Sequence, residues 1–344
     1  MRARYLVSAF ALFGTVVGLV SYAAPPAQKT SDVSSLTVRA SFAGPDGGWD
    51  FTTFDPVHRR VYVSRSNGIT ALDVDTGVVT PQLVKGSVTH IALPINKGEE
   101  ILVTSGATAG AFIANALTGE IRIVSIPTGK KPDGALLEPS TGMAWVLDNG
   151  GGGIAIIDTK AGSVIGRIDV EGALESAATD GSGKVFITVE DKTEIVVVDA
   201  KKRAVTSHIK LDGCEEPGGL ALAPESHRLV VSCANGVSKI VDATRGVIVA
   251  SLPIGLRPDV AIYDPTRKLV FIPTGSDGKM TAIDPVTKTV AGVVQSATGA
   301  RSGIVDPKTD RIYLPSGKFS PPAAPGGRPT LIPGSFAVIA VGAQ

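Results

Sequence analysis

Cysteine is nearly absent from this chain, with 2 in 344 residues. That excludes a disulfide-dense mini-domain and an all-cysteine zinc site. Net charge is small as well: 33 Lys+Arg stand against 32 Asp+Glu, with a pI near 7.7. No global field therefore draws the chain to nucleic acid or to an anionic membrane. Aromatic residues make up only 5% of the chain. Four catalytic or cofactor signatures are missing: a Cys-x-x-Cys-His haem attachment, a Gly-x-Ser-x-Gly elbow, a Walker loop and a His-Glu-x-x-His zinc motif. What is plentiful is glycine, at 40 residues, together with valine, isoleucine and threonine and few helix-forming runs. That composition points to an all-β fold. A hydrophobic content of 43% with 19% charge excludes a disordered chain.

The first residues read as an export signal. Arg2 and Arg4 precede an uncharged stretch from Tyr5 to Val20, and Ser21-Tyr22-Ala23 offers small residues where a peptidase needs them. Cleavage is expected after Ala23, giving a signal peptide over 1–23; an uncleaved anchor is the alternative. Removing two arginines and no acid takes the formal charge from +1 to −1. Residues 24–35 read as a flexible lead-in and 36–344 as the folded domain. The expected location is the periplasm or the exterior, with no membrane contact after cleavage, and a monomer is expected.

The domain is a repeat. Take Tyr62 in Val61-Tyr62-Val63-Ser64 as a marker; matching apolar positions follow at Leu102, Trp145, Phe186, Val230, Phe271 and Tyr313, at separations of 40, 43, 41, 44, 41 and 42. Each unit opens on a short strand of small residues, such as Ala135-Leu136-Leu137 or Leu220-Ala221-Leu222. A turn of Asp-Pro type follows, as at Asp55-Pro56, Asp264-Pro265 and Asp306-Pro307, where Pro presets the dihedral and Asp accepts backbone hydrogen bonds. The marker strand comes next, then a third strand such as Ile154 to Asp158, then a tight turn and a more polar fourth strand. Four antiparallel strands repeated seven times make a seven-bladed β-propeller; an open solenoid would need end caps instead. The seventh unit ends on its third strand, Phe336 to Val341, while Leu36 to Phe42 alternates like a strand ahead of the first unit. The N-terminal strand is expected to complete the last blade and close the ring.

The units resemble the YVTN-repeat, YncE-like propellers, which are usually exported. The likeness covers about 36–341. It rests on Asp-Pro, Val-Tyr-Val-Ser and a following Asn-Gly, on Cys214-Glu215-Glu216-Pro217-Gly218-Gly219-Leu220-Ala221 with Cys233-Ala234-Asn235-Gly236, and on the tail Pro333-Gly334-Ser335-Phe336-Ala337-Val338. The tetrad is degenerate, with Val63-Ser64 in unit one and Ile272-Pro273 in unit six. The resemblance implies a seven-bladed periplasmic propeller and little chemistry, because related propellers serve as enzyme subunits, cofactor domains and binding proteins.

Chemistry is sought where the repeat focuses it. The residues just before the inner strands are Asp50, His90, Asp133, Glu175, Gly218, Asp259 and Arg301, at separations of 40, 43, 42, 43, 41 and 42. In a closed ring they face one end of the central channel. Asp50, His90, Asp133, Glu175, Asp259 and Arg301 are thus candidate ligand-binding residues, with Trp49 beside them to stack a ligand. His90, Asp133, Glu175 and Asp259 suit a hard or borderline divalent ion, though no cofactor is evident in the sequence. Crowded like charges would raise some carboxyl pKa values, and Arg301 could hold a carboxylate or phosphate. A merely hydrated polar channel is the plain alternative.

Cys214 precedes the first strand of unit five and Cys233 ends its second, so antiparallel neighbours and export together favour a disulfide. A Pro/Gly-rich insertion, Phe319 to Gly334, should emerge on the same face as the ring. Asp73-Val74-Asp75-Thr76-Gly77 faintly resembles a calcium loop but lacks its distal glutamate, and reads as a turn. His58, His208 and His227 should be exposed, and Trp145 should be core. The expected function is a ligand-, metal- or protein-binding scaffold whose partner is a small polar ligand or a periplasmic protein. A metal-assisted hydrolase or lyase at the channel is the second expectation, and an accessory subunit of a periplasmic redox system the third.

Overall fold

The computed structural model describes residues 33–321 and 329–343. The expected signal peptide, 1–23, lies outside the described residues, as does most of the lead-in. Seven four-stranded antiparallel sheets form the blades of a β-propeller. Their first strands are Trp49–Asp55, Thr89–Ile95, Pro132–Glu138, Leu174–Thr179, Pro217–Ala223, Ile262–Asp264 and Ile304–Asp306. Each first strand neighbours those of the blades on either side, and that of blade seven neighbours that of blade one. The wheel is therefore closed.

Closure follows the expected route. Thr37–Ala43 pairs antiparallel with Ala337–Gly342, with Val38 opposite Val341 and Phe42 opposite Val338. This gives blade seven its outer strand from the opposite end of the chain. The lead-in differs from expectation at its last residues. Val33–Ser35 forms a 3-10 turn, and Val33 and Leu36 are buried against Val294 on the outer strand of blade six. Their apolar side chains gain more from that contact than from water.

The marker residues explain why the repeat is legible. Tyr62, Leu102, Trp145, Phe186, Val230, Phe271 and Tyr313 are at most 1% exposed. Each one sits in a different apolar cluster, between its own blade and the next. Tyr313, for instance, packs with Val61 and Val63, so the blade-seven marker touches blade one.

The Asp-Pro turns work through buried carboxylates. Asp55 accepts from the backbone N–H of Val57 (2.9 Å) and of His58 (3.2 Å), and Asp264 from Thr266 (3.0 Å) and Arg267 (2.9 Å). These bonds satisfy side chains that have no access to water. His58 departs from expectation: it is half-buried, with Nδ1 2.8 Å from Asp55 Oδ2. His208 and His227 are exposed, as expected. Asp73 accepts from the N–H groups of Asp75 (3.1 Å) and Thr76 (2.8 Å), which makes its loop a hairpin turn.

Cys214 and Cys233 form a disulfide with Cα atoms 5.4 Å apart. Cross-linking a loop of this size stabilises by about 3 kcal/mol. Changing both to alanine should lower the unfolding free energy by about that figure, with a higher m-value because the uncrosslinked denatured chain is less compact. An unmoved midpoint would count against a structural role.

Candidate functional site

The ring residues are turned toward the axis by a recurring irregularity. In blades one to five the register between first and second strand shifts just where Asp50, His90, Asp133, Glu175 and Gly218 sit. A bulge of this kind bends a strand and re-aims its side chain. In blades six and seven the paired strand starts later, at Ile262 and Ile304, so Asp259 and Arg301 precede it.

In blades two and four a hydroxyl two residues after the marker fixes the bulge, and in blade five Ser232 Oγ accepts from Gly219 N–H (3.0 Å). Thr104 Oγ1 accepts from Ile91 N–H (3.1 Å) and donates to the carbonyl of Asp133 (2.9 Å). Thr188 Oγ1 accepts from Ser176 N–H (3.0 Å) and donates to the carbonyl of Gly218 (2.9 Å). Each threonine ties the ring position of its own blade to that of the next. Ser302 Oγ donates to the carbonyl of Asp50 (2.8 Å), linking blade seven to blade one. Gly134 and Gly219 follow ring positions where neighbouring backbone crowds in. A Cβ at Gly134 would stand 2.4 Å from the carbonyl oxygen of Glu175, and one at Gly219 would stand 2.3 Å from the carbonyl carbon of Val260.

The side chains form two groups. His90 Nδ1 is 2.7 Å from Asp50 Oδ2 and 3.4 Å from Asp133 Oδ1. The second distance allows an ion pair but not a hydrogen bond, and Asp133 Oδ1 is buried without a hydrogen-bond partner, as is His90 Nε2. Arg301 Nε lies 3.1 Å from Asp259 Oδ2, and its Nη2 donates to the carbonyl of Trp49 at 3.3 Å. Glu175 stands between these groups and accepts from Asn149 Nδ2 at 3.0 Å.

Burial is the first cause of the unusual acidities here, ahead of like charge. It pushes the Asp133 carboxyl up to about 7, helped by Asp50 and opposed by His90 and Lys131. Glu175, Asp259 and Glu190 are raised for the same first reason; Asp133 adds to Glu175, and Asp50 to Glu175 and Asp259. For His90 burial works downward, but the Asp50 hydrogen bond and the charges of Asp133 and Asp50 outweigh it, leaving the imidazole raised.

A cavity of about 1240 Å³ opens beside the ring. Trp49, Phe319 and Leu331 line part of it; Glu190, Glu215, Glu216 and Asp259 line another part, together with Arg257 and Arg301. The insertion does emerge on the ring face. Phe319–Ser320 pairs with Thr330–Leu331 as a small hairpin. Trp49 is only 9% exposed, held between Phe336 (centroids 5.2 Å apart) and Phe319 (5.9 Å). It supports the cavity wall more than it offers a free stacking face. Trp145 is fully buried.

Five residues at the mouth were not singled out from sequence. Glu190 follows the second strand of blade four. Asn149 follows that of blade three and receives Lys131 Nζ at 2.7 Å on its Oδ1. Thr104 and Thr188 could have been found, because Ser64, Thr104, Thr188 and Ser232 all stand two places after a marker. Asn149 and Glu190 stand four places after a marker and Lys131 two places before a ring residue, but Asn, Glu and Lys do not recur at those positions in the other units, so nothing in the repeat singles them out.

No protein-family model matches the sequence, and no curated relative does. Solved structures match the fold. A chain of Kuenenia stuttgartiensis hydrazine synthase is similar at 16% identity and a TM-score of 0.67, over 83% of this chain and 95% of that one. A chain from a mitotic checkpoint complex is similar at 14% identity and a TM-score of 0.72, over 88% and 96%. Likeness at this level of identity establishes the propeller, which hosts many unrelated activities.

Proposed function

We propose that this chain is an exported propeller of the YVTN-repeat, YncE-like kind and acts as a binding module, holding a small amine-bearing ligand in the cavity beside the channel mouth. The disulfide supports export, since such bonds persist in oxidising compartments. The N-terminal Arg2-to-Ala23 pattern supports it as well. Among the described residues no helix is long and apolar enough to cross a membrane.

The cavity lining carries the ligand assignment. Four acids face two arginines, and Arg301 is already engaged with Asp259, so the lining is net acidic. Trp49, Phe319 and Leu331 supply an apolar wall for the ligand's body. An ammonium group gains from both, through charge with the acids and through attraction to the exposed ring of Phe319.

Calorimetric titration at pH 8 with tyramine, and with the carboxylate that has the same aryl body, tests this reading. The amine should bind at least about 10-fold tighter, a difference of about 1.4 kcal/mol. Glu190→Gln combined with Asp259→Asn should weaken the amine by a similar factor. Equal or preferred binding of the carboxylate, or no binding of the amine, overturns the assignment.

A further inference from the structure

We infer that Asp50, His90 and Asp133 form a binding site for one divalent first-row metal ion at the channel mouth. The site is separate from the cavity residues that carry the amine reading. Its three residues belong to three successive blades, and the ligand atoms they offer all lie within 4.8 Å of one another. His90 Nδ1 stands 2.7 Å from Asp50 Oδ2 and 3.4 Å from Asp133 Oδ1. Ligands sharing an ion at metal–ligand distances of about 2.1 Å are themselves about 3 Å apart, so small side-chain adjustments complete the set.

A second observation points the same way. The Asp133 side chain is 9% exposed, and its Oδ1, aimed at the imidazole, has no hydrogen-bond partner. A buried carboxylate oxygen is costly in that state. Among the described residues, the ion-pair partner of both Asp50 and Asp133 is the one imidazole, His90. Two carboxylates sharing a single proton-bearing ring retain a net negative charge. A divalent ion replacing the Nδ1 proton would neutralise both.

The backbone is prepared for such a role. The Thr104 hydroxyl joins the bulge of His90's blade to the carbonyl of Asp133. Ser302 holds the carbonyl of Asp50. The positions of His90 and Asp133 are thereby fixed to one another, and that of Asp50 to blade seven, before any ion arrives, which reduces the ordering cost of binding. One nitrogen and two oxygens suit zinc or manganese better than calcium, which takes more oxygens. Three protein ligands also leave coordination positions open toward the channel. Glu175 and Asp259 fall outside the set, since Asn149 and Arg301 already engage them.

The test is titration of chelator-treated full-length protein with Zn²⁺ alone, followed by calorimetry and by metal analysis after gel filtration. One equivalent should bind. His90→Ala and Asp133→Asn should each weaken it by at least about 100-fold, the upper end of what losing even an outer partner costs. Asp50→Asn, at the most exposed of the three positions, provides a further arm should either of the others fail to fold. His208→Ala, at an exposed histidine on an outer strand, should leave zinc affinity unchanged. Absence of stoichiometric zinc, or affinity in the ring variants equal to that of the parent, overturns the site. Zinc bound without tyramine would retire the amine reading and leave the metal site standing; tyramine bound without zinc would do the reverse.

Discussion

Chelator-treated protein should lose stability as pH rises from about 5 to 8, and Asp133→Asn should remove much of that loss. The Asp133 carboxyl is held up to about 7, first by burial and then by the Asp50 charge. In the unfolded chain it returns to the ordinary range near 4. Between those values the native state binds more protons than the unfolded chain, so stability must fall with rising pH. Glu175, Asp259 and Glu190 are raised by burial and act in the same direction. His90 does too. Burial lowers it, but Asp50 and Asp133 prevail and raise it, so its contribution is complete below about 6.5 and fades above the folded value. Carboxylates held low act elsewhere. Asp242, at about 2 through the N–H of Arg245, and Asp306, held low by Arg59 against the opposing effect of burial, contribute above about 4 and lose that contribution in acid. Stability should therefore peak in mild acid. The distance from an ordinary aspartate to about 7 corresponds to about 4 kcal/mol. That is the ceiling for the advantage of Asp133→Asn at pH 8, and the advantage should vanish below pH 4. Urea denaturation of both proteins across this range measures it. Parallel curves would show that Asp133 does not carry the strain.

The same residues show what a single sequence can and cannot reveal. Ring and marker positions are legible because each is occupied once per unit for one physical reason. The marker fills an interface between blades, and the ring residue occupies a bulge at constant register. The Asp-Pro turns are legible because Pro and a buried carboxylate leave the backbone little choice. Glu190, Asn149 and Lys131 are not, because their positions recur in every unit while their residue types do not: the equivalents of Glu190 are Ser66, Gly106, Asn149, Ala234, Gly275 and Gly317. His58 is half-buried because both turn bonds fall on Asp55 Oδ1, which leaves Oδ2 to the imidazole and to the Tyr62 hydroxyl at 3.1 Å, a division that no sequence pattern marks. Trp49, Asp259 and Arg301 are legible at one mouth because the closed ring assembles them; the cavity itself is not, because its wall depends on how Phe319 and Leu331 fold back over that face as a hairpin.

Arg59→Met should cost about 3 kcal/mol at neutral pH, and Arg59→Met with Asp306→Asn should cost much less. Arg59 lies in the first turn of blade one and Asp306 in the corresponding turn of blade seven. Two parallel bonds of 2.8 Å join the guanidinium to the carboxylate. The Asp306 side chain has no exposed surface, whereas the second partner of Arg59, Asp75, is 56% exposed. Removing the guanidinium leaves a buried carboxylate with only its turn bonds, to Lys308 N–H at 3.0 Å and Thr309 Oγ1 at 2.6 Å. A buried charge stripped of its partner is the expensive case; removing both charges is not. The penalty should shrink in acid, because Asp306 is held below the ordinary carboxylate range and its contribution disappears once it is protonated. The pair spans 247 positions of sequence, so its coupling energy reports directly on closure. A double-mutant cycle by chemical denaturation at pH 7 and below pH 3 reads it. Strict additivity would mean that blades one and seven do not meet, and the convergence of Asp50, His90 and Asp133 with Asp259 and Arg301 would fail with it.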